Sequence, residues 1–166
     1  MDIRRIRSDE GLRLRDLRLH ALADSPMAFG STLAREEAYP EALWNERAAN
    51  GAAGDKSVTF VAEHDNCLVA VATGLAPDLD HDGASPMMVG VFVDGGARGQ
   101  GVGVQLVAKV SDWARARGWA RLIAWITSGN APALALYRRC GFRATGATRP
   151  SAHTPELLEC ELALDL

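Results

Sequence analysis

Arg98-Gly99-Gln100-Gly101-Val102-Gly103 is the stretch on which the fold turns. It follows an apolar run from Met87 to Val93 and opens an apolar-periodic segment from Val104 to Trp113. A strand that passes through glycines into a helix is suited to an anion. Glycine lets the backbone bend tightly and approach a ligand closely. The unpaired N–H groups of the first helical turn then point at negative charge. Two phosphate loops are excluded. No Gly-Lys-Ser/Thr follows Gly103, so this is not a P-loop. A dinucleotide fingerprint counted from Gly99 requires a third glycine where Val104 stands, and its strand normally opens the fold. A plain glycine-rich turn with no ligand also fits the hexapeptide.

A second segment lies about 30 residues on: Asn130-Ala-Pro-Ala-Leu-Ala-Leu-Tyr137-Arg-Arg-Cys-Gly141-Phe142. Asn130 suits an N-cap, and Pro132 suits the first helical turn, where its missing N–H would be unpaired anyway. Ala133, Leu134, Leu136 and Tyr137 make neighbouring rows on one face. Gly141 supplies a left-handed stop.

The two motifs together resemble the GNAT superfamily of acetyltransferases. Arg98, Gly101 and Gly103 match its Arg/Gln-x-x-Gly-x-Gly/Ala pyrophosphate loop. Asn130, Leu136-Tyr137 and Gly141-Phe142 match its closing helix. Weaker similarity extends to Ala28-Phe29-Gly30-Ser31-Thr32. The resemblance implies an α/β single domain with a mixed, mostly antiparallel sheet of six or seven strands. A splayed central pair and about four flanking helices complete it. It further implies acetyl-CoA as co-substrate and direct attack of an amine on the thioester. Arg98, Gly99, Gln100, Gly101, Val102 and Gly103 would grip the pyrophosphate. The backbones of Val91, Phe92 and Val93 would pair with pantetheine, a strand-addition mode. Asn130 would bind the same arm, a backbone N–H near Val91 would face the oxyanion, and Tyr137 would protonate the departing thiolate. Phe29 and Ser31 would border the acceptor pocket. The acceptor implied is a small-molecule or peptide amine, with a small amine, antibiotic or amino acid favoured, and homodimers are common in the family. The alternatives carried are a protein N-terminal acetyltransferase and an acyl-CoA-binding module without turnover.

Composition agrees with a domain of ordinary size. The chain has 166 residues, 48% hydrophobic and 23% charged. That length supports a core without staples. Cys67, Cys140 and Cys160 are scattered and odd in number, without metal-ligand spacing, which fits a reduced, cytoplasmic setting. No apolar run reaches 18 residues and no apolar segment follows Met1-Asp2-Ile3-Arg4-Arg5, so neither a membrane span nor a signal peptide is expected. The net charge of −3 gives no reason to expect nucleic acid. Its distribution is uneven. Residues 95–149 hold nine of the 18 Lys+Arg and one of the 21 Asp+Glu, a net of +8. The rest holds nine against twenty, or −11, and would draw a cationic acceptor.

Patterning predicts a strand at Ile3–Ile6 and a helix from Asp9 to Ala23 capped by Ser8. A helix follows over 35–50, then a hairpin, Val58–Glu63 and Leu68–Gly74. After a polar loop, Ala76 to Pro86, comes a buried strand, Met87–Val93. A helix over 101–117, a strand at Leu122–Thr127 and a helix over 132–140 follow. The chain ends with a strand over 142–145, a loop over 146–155 and a strand at Leu157–Leu164. For the general base the candidates are Glu63, Glu36, Glu37, His153 or water. Asp78-Leu-Asp80-His-Asp82-Gly83 opens like a calcium loop. Its twelfth position is Val89 rather than glutamate, so no metal is expected.

Overall fold

The computed structural model describes residues 1–77, 85–152 and 154–166. The acidic run at 78–83 and His153 lie outside the described residues. Seven strands form one sheet: β1 (Asp2–Arg5), β2 (Ser57–His64), β3 (Cys67–Leu75), β4 (Met87–Val93), β5 (Arg121–Thr127), β6 (Arg143–Pro150) and β7 (Leu158–Asp165). Their order is β1-β2-β3-β4-β5-β7-β6, antiparallel except between β4 and β5. Five α-helices are present among the described residues: α1 (Gly11–Asp24), α2 (Leu33–Glu37), α3 (Glu41–Ala53), α4 (Val102–Ala116) and α5 (Ala131–Arg139).

The sheet carries two cores. On one face α1 and α3 bury Leu14, Leu17, Ala21 and Ala48 against Val61, Val71 and Phe92. On the other, α4 lays Leu106, Val107, Val110, Trp113 and Ala114 on Val58, Ala70, Ala72 and Met88. These α4 positions recur at helical spacing on one stripe. Small residues draw α4 close to the sheet. A Cβ on Gly74 would sit 2.7 Å from Trp113 Cζ3 and 2.8 Å from Val110 Cγ1.

Several expected elements are corrected. The helix expected over 35–50 is two helices. Pro40 offers no N–H and disfavours helical backbone at Tyr39 before it, so the chain breaks there and restarts as α3. Ser8 does not cap α1. The cap position is Glu10, whose carboxylate accepts from the Arg7 N–H at 2.8 Å and holds residues 7–10 in a turn. The strand at 142–145 extends to Pro150 as β6, replacing most of the loop expected over 146–155. All eight β6 residues are exposed, so no apolar alternation marks it in the sequence.

The β4–β5 contact positions the site. Only Met87↔Ile123 and Met88↔Ala124 are in register, and beyond them the strands part. In addition, β4 bulges: Val71↔Phe92 and Thr73↔Val89 place three steps on β4 against two on β3, with Gly90 at φ +63°. A bulge re-aims the backbone locally. Here the re-aimed backbone lies where the parallel strands separate.

Candidate active site

A cleft of about 800 Å³ occupies the gap between β4 and β5. That is within the range of small-molecule and cofactor sites. All of β4 lines it, with the first turn of α4, the inner face of α5, residues 28–31 and the ends of β5, β6 and β7.

Most of the residues singled out in the sequence meet there: Val91, Phe92, Val93, Arg98, Gly99, Gly101, Gly103, Asn130, Tyr137, Phe29 and Ser31. Gln100 and Val102 do not line it. The Gln100 amide bonds back to the Gly96 carbonyl at 3.1 Å, and Val102 is buried in the α4 core. The glycines divide their labour. Gly101 is the α4 N-cap with φ +77°, and a Cβ there would meet nothing within 4 Å. Gly103 is helical, and its missing side chain lets Leu136 of α5 approach, 3.3 Å from where a Cβ would stand.

Arg98 is already engaged at the mouth. Its Nε donates to the Val93 carbonyl at 2.8 Å, on the β4 edge that β5 leaves unpaired, and its Nη2 meets Asp24 Oδ2 at 2.6 Å. Ser25 and this guanidinium hold the Asp24 carboxyl below the usual carboxylate range. Asn130 Oδ1 caps α5 by accepting from the Ala133 N–H at 3.2 Å, as its spacing predicts. Tyr137 packs edge-on against Phe142 with ring centroids 5.1 Å apart. Burial pushes its phenol well above the ordinary value. It therefore stays protonated at neutral pH and is a donor rather than a base.

The carboxylates proposed as bases lie elsewhere. Glu63 bonds Arg4 and Arg13, and with Glu10 it forms a charge cluster at the β1–α1 corner, off the cleft. Glu37 is exposed and does not line the cleft. Glu36 is only 2% exposed. Burial works to raise its pKa, but Arg18, with Arg47, more than offsets this and holds it low. The Ser31 hydroxyl lies on the same side, buried and without a hydrogen bond at bonding distance. Glu36 serves Arg18: the guanidinium takes both of its oxygens at 2.9–3.3 Å, stacks 4.6 Å over Phe29 and faces the bulge at Gly90.

Sequence reasoning missed Glu159. Among the described residues it is the only carboxylate lining the cleft. Second in β7, it pairs in register with Thr127 on one side and Arg149 on the other. Arg149 Nε reaches Glu159 Oε2 at 2.7 Å, and the same guanidinium lies 4.2 Å over the Trp125 ring. The local sequence, Leu158-Glu159-Cys160-Glu161-Leu162, does not separate Glu159 from Glu161. Only the register does.

The acetyltransferase (GNAT) family model matches residues 19–142, three quarters of the chain and both motifs. The chain belongs to the GNAT acetyltransferase family. A ribosomal-protein-alanine N-acetyltransferase from Brucella melitensis superimposes on all of this GNAT chain, and is itself covered in full, with TM-score 0.78 at 26% identity. The yncA structure from Salmonella typhimurium, with its cofactor acetyl-CoA, covers 100% of this chain and 94% of its own at TM-score 0.81 and 20% identity, a likeness of fold. An L-methionine sulfoximine/L-methionine sulfone acetyltransferase of Pseudomonas aeruginosa is 45% identical over 56 residues. That match spans 34% of this chain and 33% of the relative. Among the described residues no helix is long and apolar enough to cross a membrane, and no cluster of His, Cys, Asp and Glu is arranged to hold a metal.

Proposed function

We propose that this chain transfers an acetyl group from acetyl-CoA to a primary amine by direct attack. The observation that carries the reading is the parted β4–β5 pair with the α4 N-terminus opening into the same cleft. The unpaired β4 edge has the backbone groups that pantetheine amides need. The α4 terminus, with Arg98 beside it, has the donors and field that a pyrophosphate needs. Acetyl-CoA in the yncA structure supports this assignment.

Three tasks remain for the chain's own residues. The acceptor must reach the thioester as a free amine. At pH 7 this costs a lysine-type amine about 4.6 kcal/mol and an α-amino group about 1.4 kcal/mol. As C–N forms, the carbonyl oxygen gains charge, and the β4 bulge beside Gly90 and Val91 offers backbone N–H to it. The preorganised Arg18 guanidinium adds positive charge on the same side. When C–S breaks, the sulfur takes a proton. Tyr137, held protonated, supplies it, and the proton that the acylated nitrogen must shed returns through solvent in the cleft to the phenolate. The products are the N-acetyl amine and free CoA thiol.

The acceptor class favoured is a small amine, because Glu159, the cleft's carboxylate, is only 8% exposed. A peptide N-terminus is the second reading, supported by the full-length likeness to the Brucella protein. Calorimetry with acetyl-CoA, followed by thiol release across a panel of amines and peptides, tests the proposal. Micromolar binding with turnover above background is expected. No binding at millimolar acetyl-CoA refutes it.

A further inference from the structure

Glu159 and Arg149 form a two-pole site with both poles open. Glu159 is almost wholly buried, yet Arg149 Nε is its one hydrogen-bond donor among the described residues, at Oε2. Its Oε1 faces residues 28–31, and a Cβ on Gly30 would stand 3.9 Å from it. A carboxylate this buried costs several kcal/mol in lost hydration unless its lone pairs are met. One lone-pair side is met by the chain and the other is turned to the cleft. Among the described residues Arg149 donates a hydrogen bond only through Nε. The side chain is half-exposed and lines the cleft, with the guanidinium 4.2 Å over the Trp125 ring, and its outer nitrogens make no hydrogen bond among the described residues. Both residues line the cleft, as do Phe29 and Ser31.

The geometry points to an acceptor that carries an ammonium and a carboxylate on adjoining atoms, the head of a free α-amino acid. We propose that Glu159 Oε1 receives the α-ammonium and that the Arg149 outer nitrogens receive the α-carboxylate. This deepens the acetyl-transfer reading and rests on it. The depth difference sets the orientation. Glu159 is the inner pole and Arg149 the outer one, so the nitrogen enters first, toward the thioester. The pairing across β6 and β7 (Arg149↔Glu159) fixes the poles a few ångströms apart, which matches a zwitterion engaged side-on. The −11 charge of the chain outside residues 95–149 draws any cation. The pair adds discrimination, because an amine without an anion leaves Arg149 unsatisfied.

The test compares L-leucine, L-methionine and L-phenylalanine with their methyl esters and decarboxylated amines, in the presence of saturating acetyl-CoA. The ester's amine is the weaker base and sheds its proton more easily, so uncatalysed chemistry favours the ester. The expected result is at least a 10-fold higher kcat/KM for the free acids. Arg149→Met should bring that ratio to about 1 by lowering the acids alone. A residue that merely braces β6 would lower acid and ester together. Glu159→Gln should raise KM at least 10-fold for all three forms while acetyl-CoA affinity holds. A wild-type ratio at or below 1, a ratio that survives in Arg149→Met, or no binding of any free acid to the acetyl-CoA complex overturns the inference. In each of those cases calorimetric binding of acetyl-CoA still separates this failure from failure of the cofactor reading. If Glu159→Gln does not fold, the Arg149→Met ratio decides alone.

Discussion

Replacing Gly101 by aspartate puts a negative charge where the proposed pyrophosphate would lie. Gly101 caps α4 with φ +77°, and a side chain there would meet nothing within 4 Å. The steric cost is therefore confined to the backbone, about 1 kcal/mol, and is small for Asp and Asn, which tolerate this region. The electrostatic cost is larger. At about 5 Å and an effective permittivity of about 20, each phosphate charge is opposed by about 3 kcal/mol. Counter-ions and exposure of the loop cut the sum over two phosphates to about 3 kcal/mol, or about 100-fold in Kd. Gly101→Asn carries the same shape without the charge and should lose less than about 5-fold. Calorimetric titration of acetyl-CoA into both variants at two salt concentrations measures the difference, which should narrow as salt rises. Equal affinity in the two variants would refute the reasoning, because no anion would then lie against the α4 terminus.

Three further outcomes follow from the same geometry. Tyr137→Phe keeps the buried ring against Phe142 and should lower kcat about 10- to 100-fold with acetyl-CoA affinity unchanged; an unaltered kcat removes the phenol from the reaction. Glu10, held chiefly by the Arg4 side chain, has its pKa lowered from 4.5 to about 2. A depressed carboxylate stabilises the fold above pH 4.5, and that stability drains away as pH falls toward 2. Glu10→Gln should thus cost about 2 kcal/mol at pH 7, after allowing for solvent around its arginine partners, and flatten the denaturation midpoint between pH 5 and pH 2. Gly74→Ala forces a methyl to within 3 Å of Val110 and Trp113 and should cost about 1–3 kcal/mol, seen as a Tm about 3–10 °C lower.

That the residues of β4, α4 and α5 gather in one cleft was legible in the sequence, because these elements are written in contiguous residues. Backbone conformation and helix capping depend on neighbours in the chain, so Gly101, Asn130 and Tyr137 could be placed from their own surroundings. The β6–β7 end of the cleft was not legible for the opposite reason. Glu159 and Arg149 meet across two strands ten residues apart, and Arg149 lies in a segment with no apolar alternation to announce a strand. Nothing around Glu36 in the sequence marks it as the buried partner of Arg18, because Arg18 and Arg47 arrive from other helices. The break at Pro40 was visible as a residue but hidden by the apolar periodicity around Trp44.

Two register pairs are all that join β4 to β5 edge to edge, so the sheet is divided by a seam. On one side stand β1 to β4, on the other β5 to β7, with α4 and α5 as braces across the back. A ligand lying along the open edge would act as a stitch, contributing backbone bonds the protein does not make to itself. Its grip would then be felt well away from the reacting atoms, as slower amide exchange on both flanks and a melting point that climbs with ligand concentration. The core beneath α4 already joins the two sides, so the stitch would add stiffness at the edge rather than supply the fold.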